Sequence, residues 1–340
     1  MKKLFLIPSL VLFAVATFAQ EDAKSMHETA KGYMRSGDFD NAILVLNRAL
    51  IQDKNNLEMQ KDLVMTYYLK REYAKALEGV KLLLEREDAD VICFQIAGNV
   101  YKALEEVKEC DKMYKKGLKK FPKSGPLYSE YGELLLATHN NTAIDMWEKG
   151  IQADPAYGGN YYNAALFYYS TEDKVWSIVY GEIFVNMESL SQRGAAMKEL
   201  LLKAYKEKLF SQASLQKDID KSKNDFAKAF LTTMNKQLNL TNKGITVESL
   251  GAVRSRFILD WYNTYSTKFP FKLFDYQQQL LQNGMFEAYN QWLFGPVDNL
   301  AAYDSWTKNH TEQYEAFKKF QANRVFKMPV GQYYAAIASK

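Results

Sequence analysis

Residues 23–56 read AKSMHETAKGYMRSGDFDNAILVLNRALIQDKNN, and this stretch decides the fold. It contains two apolar runs of helical spacing separated by Ser36-Gly37-Asp38. Gly37 can take the left-handed conformation that ends one helix, and Asp38 can cap the next. Ala42, Leu46, Ala49 and Leu50 then fall on one face of the second helix, and Asp53-Lys54-Asn55-Asn56 closes the unit. The pattern recurs with a period of about 34 residues, giving copies at 23–56, 57–90, 91–124, 125–157 and 158–187. Small residues recur where paired helices must touch: Ala30 and Ala42, Gly98 and Cys110, Gly132 and Ala143. Tyr33, Tyr67, Tyr101, Leu135 and Tyr168 recur just ahead of the turn. Pro122 and Pro155 stand at the closing position, where a helix must stop.

The chain has 340 residues, 47% hydrophobic and 25% charged, enough for a buried core. A net charge of +4 gives no electrostatic case for nucleic-acid binding. Lys2 and Lys3, the apolar run Leu4–Phe18 and Thr17-Phe18-Ala19 before Gln20 read as a signal peptide over residues 1–19. An exported protein follows, with the periplasm the expected compartment and cell surface or medium the alternatives. No later stretch reaches the length of a membrane span. Cys93 and Cys110 fall on opposite helices of one hairpin, staggered by roughly 12 Å along the axis, too far for a disulfide.

These features resemble the tetratricopeptide repeat (TPR) family. The resemblance rests on Ala30, Tyr33, Gly37, Phe39, Ala42, Leu46 and Ala49, and continues through Leu63, Tyr67, Tyr73, Ala76, Gly98, Tyr101, Gly117, Tyr128, Trp147, Asp154 and Pro155. It implies an all-α solenoid of helix hairpins over residues 20–187. The remainder, 188–340, keeps helical spacing without the period and reads as an irregular helical region that caps the stack, with a worn repeat at 273–294. Ala196–Leu209, Ile219–Leu238 and Val247–Tyr265 suggest three helices there, and Asn239–Gly244, Phe269-Pro270, Asn283-Gly284 and Gly295-Pro296 suggest loops.

The resemblance also places ligand contacts on the first helix of each pair. The positions it marks carry His27, Lys31, Lys61, Met65, Tyr68, Gln95, Asn99, Lys102, Glu133, Tyr162 and Tyr169. Such a lining, basic and polar at first and more aromatic later, suits an extended protein or peptide partner. The alternative is a groove filled by the protein's own C-terminal helices. A second functional reading is a glycan or small-ligand binder using the aromatic-rich C-terminal region, where Trp261, Tyr262, Phe274, Tyr289 and Trp292 could form a platform; core packing is the competing reading. The lysines between Lys108 and Lys123 read as solvated surface or as a contact for an anionic surface.

Catalytic patterns are broken. His27-Glu28 begins a zinc-protease-like string, but Lys31 stands where the second His is required. Gly-x-Ser-x-Gly and Cys-x-x-Cys do not occur, and the three His residues lie in distant units. The expectation is a non-enzymatic scaffold with no cofactor and no metal.

Overall fold

The computed structural model describes residues 7–171, 173–211, 215–322 and 324–338, with side chains from residue 22 to 337 within those spans. The expected signal peptide lies partly outside them, since residues 1–6 are not described and only the backbone is described over 7–19. The regular structure of the described residues is entirely helical, with no strand. They form two compact units that divide at Leu134/Leu135, a point within α7.

The first unit holds α1 (Ile7–Ser36), α2 (Phe39–Gln52), α3 (Leu57–Leu69), α4 (Tyr73–Glu85), α5 (Val91–Ala103), α6 (Val107–Lys120) and the start of α7 (Gly125–Ala137). Consecutive helices pack as antiparallel hairpins. Several start where the sequence offers a cap: Asp38, Asn56 and Asp90 accept from the N–H groups of Asn41, Met59 and Cys93.

The turns repeat in atomic detail. Asp38 N–H donates to Tyr33 O and Gly37 N–H to Met34 O, the paired bonds of a Schellman cap. The same two bonds close the turns at Glu72/Tyr67 with Arg71/Tyr68, at Glu106/Tyr101 with Glu105/Lys102, and at Asn140/Leu135 with His139/Leu136. Gly37, Arg71, Glu105 and His139, one period apart, all have positive φ. The aromatic or aliphatic residue ahead of each turn is therefore the carbonyl that receives the long cap bond.

The small-residue positions are contact points. Ala30, Ala42, Cys110 and Ala143 are fully buried. A Cβ on Gly98 would lie 2.1 Å from Tyr114 Oη, a hydroxyl held in place by Glu130 Oε2 at 3.0 Å. Gly98→Ala is expected to destabilise the first unit by about 1–3 kcal/mol through overpacking. Urea denaturation checks this, and an unmoved midpoint would mean Tyr114 swings aside freely.

The second unit continues with α8 (Ala143–Ala153), α9 (Gly158–Tyr169), α10 (Lys174–Met187), α11 (Gln192–Lys203), a π-helical turn at Ala204–Leu209, α12 (Leu215–Lys221), α13 (Asp225–Asn235) and α14 (Val247–Thr264). It ends with α15 (Lys272–Gln282), α16 (Phe286–Asp298), α17 (Leu300–Asn309), α18 (Thr311–Ala322) and α19 (Tyr334–Ala338). One apolar core runs from Ala143 to Ile337, so the fifth repeat and the C-terminal region share a single interior. Within it α15 and α16 form a hairpin whose turn again has the Schellman bonds, Met285 N–H to Leu280 O and Gly284 N–H to Leu281 O, with Gly284 at φ +69°.

Three sequence expectations need correction here. Ile219 and Phe226 lie on separate helices, because Asn224 leaves helical geometry and its side chain caps α13 by accepting from Ala227 N–H. The run Ala196–Leu209 changes from α to π winding at Ala204. Gly295-Pro296 is not a loop but the last turn of α16. Proline there cannot donate to the carbonyl four residues back, which is Trp292 O. The buried Lys198 ammonium supplies that bond instead, at 3.0 Å, while lying 3.9 Å from the Trp292 ring centroid.

Candidate functional site

The first helices of the first unit carry the residues marked for partner contact, and these separate into two sets. His27 Nε2 lies 2.7 Å from Asp62 Oδ2, and Gln95 Nε2 donates to Glu130 Oε1 at 2.6 Å. Lys61, only 3% exposed, donates to Asp90 Oδ2 at 2.7 Å and pairs with Glu58 Oε1 at 2.6 Å. Burial pulls the Lys61 pKa down, but the hydrogen bonds it donates to Asp90 and Glu58 outweigh it and hold the ammonium charged. Asp90 also caps α5, so one carboxylate joins α3 to α5. His27 and Gln95 link α1 to α3 and α5 to α7. These three side chains act as ties between repeats.

The second set is more open. Met65, Tyr68, Asn99 and Lys102 are half-buried on the neighbouring helices α3 and α5, and Glu133 is exposed on α7. Lys31 is half-buried and pairs with Glu28 at 3.0 Å. His27, Lys61 and Gln95, the fifth residues of the first three copies, thus brace the first unit, while Lys31, Met65, Tyr68, Asn99, Lys102 and Glu133, at the ninth and twelfth positions, reach solvent. In the second unit Tyr162 packs against Phe184 at 4.9 Å beneath the Arg193 guanidinium, and Tyr169 Oη donates to Glu207 Oε2 at 3.2 Å.

The lysine run has a structural task. Lys116 Nζ donates to Leu84 O, and Lys120 Nζ donates to the carbonyls of Glu87 and Ala89. These ammonium groups satisfy oxygens at the end of α4 and in the loop after it, where helical partners run out. Lys112 and Lys115 pair with Glu109 and Asp111 along their own helix. Lys108, Lys119 and Lys123 remain exposed.

The C-terminal aromatics are mostly core, which corrects the platform reading. Trp261, Phe269, Phe271, Phe274, Tyr276, Phe286, Tyr289 and Phe294 are all buried. Phe274 alone packs against Phe226, Phe257, Trp261 and Phe271. Ring faces used this way are not available to a sugar.

Two polar clusters in the second unit were not legible in the sequence. Glu182 and Arg254, each 1% exposed, form an ion pair in the core. Glu182 also accepts from Gln277 at 2.6 Å and Tyr289 at 2.7 Å, and Arg254 donates to Asn290 at 2.5 Å. The second cluster is Glu148, whose carboxylate accepts from Tyr168 Oη at 3.0 Å and from Tyr180 Oη at 3.0 and 2.9 Å. Burial pushes the Glu148 pKa up to about 8 against the pull of those two hydroxyls. Beside it lies a cavity of ≈ 620 Å³ lined by Ile144, Phe167, Tyr168, Tyr333 and Tyr334. Among the described residues no group of three or more His, Cys, Asp or Glu could hold a metal ion.

By its turns, its period and its paired helices the chain is an all-α helical-repeat protein. Two solved structures are similar to it. One is a thermophilic TPR protein of Thermus thermophilus, at 16% identity over 53% of this chain and 99% of that chain, with a TM-score of 0.44. The other is the TPR domain of P58(IPK), at 12% identity over 89% of this chain and 100% of that one, with a TM-score of 0.29. No family model matches the sequence, and comparison with curated proteins gives no match.

Proposed function

We propose that this protein is an exported, non-enzymatic scaffold that holds an extended protein segment against the first-helix surface of α3 and α5. One observation carries the reading: the braced fifth positions leave Met65, Tyr68, Asn99 and Lys102 in register on adjacent helices. Tyr and Met there offer apolar area, Asn an amide for a peptide main chain, and Lys a charge for an acidic side chain. Rigid ties such as His27–Asp62 and Lys61–Asp90 lower the ordering cost of binding, because the surface is formed before the partner arrives. The basic, then apolar, start of the sequence supports export to the periplasm, with surface or medium as further destinations. No helix among the described residues is long and apolar enough to cross a membrane.

The test is a pull-down from the native cell envelope with wild-type, Tyr68→Ala and Lys102→Glu chains. Loss of Tyr68 is expected to weaken a partner by about 2 kcal/mol, roughly thirtyfold. Undiminished recovery by both variants would remove this surface from consideration. A recovered chain whose mass does not start at Gln20 would remove the export reading.

A further inference from the structure

The last segment of the described chain lies on the second unit in a manner unlike the hairpins before it. From Arg324 the backbone runs without regular structure to Gln332 and then enters α19. Its first part is fixed: Phe326 packs on Tyr276 at 5.5 Å, and Met328 is buried. Then Val330 is 76% exposed and Gly331 has φ +86°, a conformation that only glycine adopts at low cost. Beyond this point the chain docks afresh. The Tyr334 ring stacks on Tyr168 at 5.6 Å and meets Trp176 edge-on at 5.4 Å. Its backbone N–H donates to Tyr180 Oη at 2.8 Å, and Ile337 is buried.

We propose that Tyr333–Ile337 occupies, intramolecularly, a peptide-binding groove built by α8, α9, α10 and α13. The exchangeable occupant is a protein segment of the same pattern, an aromatic pair followed by an aliphatic residue one helical turn later. It is a site separate from the surface of α3 and α5.

The groove has the parts that peptide recognition needs. Tyr180 donates a hydrogen bond to Glu148 and accepts one from a main-chain N–H, a group any peptide supplies. Tyr168 and Trp176 supply faces and edges that select an aromatic side chain. The ≈ 620 Å³ cavity beside Tyr333 leaves room for a larger residue than the one now present. Gly331 provides the hinge, and the short tether to Met328 gives the resident segment an effective concentration of about millimolar, which a partner must overcome.

The test uses a fluorescently labelled synthetic peptide of residues 331–340. Three chains are titrated with it: the full chain, a chain ending at Val330, and the full-length Tyr334→Ala, Ile337→Ala double variant. The peptide is expected to bind the shortened chain and the double variant at least about tenfold more tightly than the full chain. A peptide in which Tyr334→Ala is made is expected not to bind. Tyr68→Ala in the shortened chain is expected to leave the affinity unchanged, which separates this site from the one proposed above. The proposal is overturned if neither altered chain binds the peptide while keeping a native circular dichroism spectrum. It is equally overturned if both altered chains lose their fold, since the segment would then be core and not an occupant.

Discussion

Arg254→Ala is expected to lower the unfolding free energy of the second unit by about 3–5 kcal/mol. The cost does not come from losing a favourable salt bridge, because two buried charges only roughly repay their desolvation. It comes from what stays behind. Glu182 would remain buried, with Gln277 and Tyr289 as donors and no cation. The vacated space is walled by Phe286 and Phe294, whose ring centroids lie 5.4 and 5.2 Å from the guanidinium carbon, and cannot hydrogen-bond the carboxylate. A companion Glu182→Leu, Arg254→Met chain is expected to recover only part of the loss, since apolar groups of similar volume remove the buried charge but leave Gln277 Nε2 and Asn290 Oδ1 without these partners. Urea denaturation of the three chains decides the matter. An Arg254→Ala loss below about 1 kcal/mol would show that water reaches the pair.

Glu148 gives the second large effect, and it is read in pH. Its pKa rises from the ordinary 4.5 to about 8 on folding, chiefly because burial disfavours the charged form. Tyr180 and Tyr168 pull the other way through their hydroxyls, and the charge of Asp173 adds to the rise. A carboxyl that binds its proton more tightly when folded contributes stability that is complete below pH 4.5 and is lost as pH rises through about 8. That contribution amounts to roughly 3–5 kcal/mol at its limit. Wild-type stability is therefore expected to fall between about pH 5 and about pH 9 more steeply than that of Glu148→Gln. Asp173, whose pKa burial raises to about 6, adds a slope of the same sign over a lower range. Parallel pH profiles for the two chains would refute the assignment.

The repeat portion was legible because its determinants are local. Tyr33, Tyr67 and Tyr101 precede each turn by a fixed interval, and each proved to be the acceptor of the long cap bond. Asp38 and Asn56 marked helix starts by the chemistry that places them there. Arg71, Glu105 and His139 gave no such sign, because their left-handed backbone is imposed by the two cap bonds and not by residue type. The irregular region was legible only as helices. Gly295-Pro296 reads as a break until Lys198, far away in sequence, provides the donor that proline lacks. Glu182 and Arg254 each look like ordinary surface charges until the packing of α10 against its neighbours encloses them. For the candidate partner surface, the sequence located the helices but could not separate the bracing residues from the open ones. That division depends on whether a side chain finds a polar partner one repeat ahead, as His27 does in Asp62 and the thioether of Met65 does not.

Cys93 and Cys110 sit fully buried and unlinked in the first unit, Cys110 in a small-residue notch with its thiol directed at Gly98 O. Burial pushes their pKa values up to about 11 and about 12, so at neutral pH almost no thiolate is present even when a reagent diffuses past. Alkylation can proceed only while α5 and α6 have parted. The native chain thus carries two internal clocks of helix opening, and the pace at which they are modified reports the breathing of the stack without any label having to be engineered in.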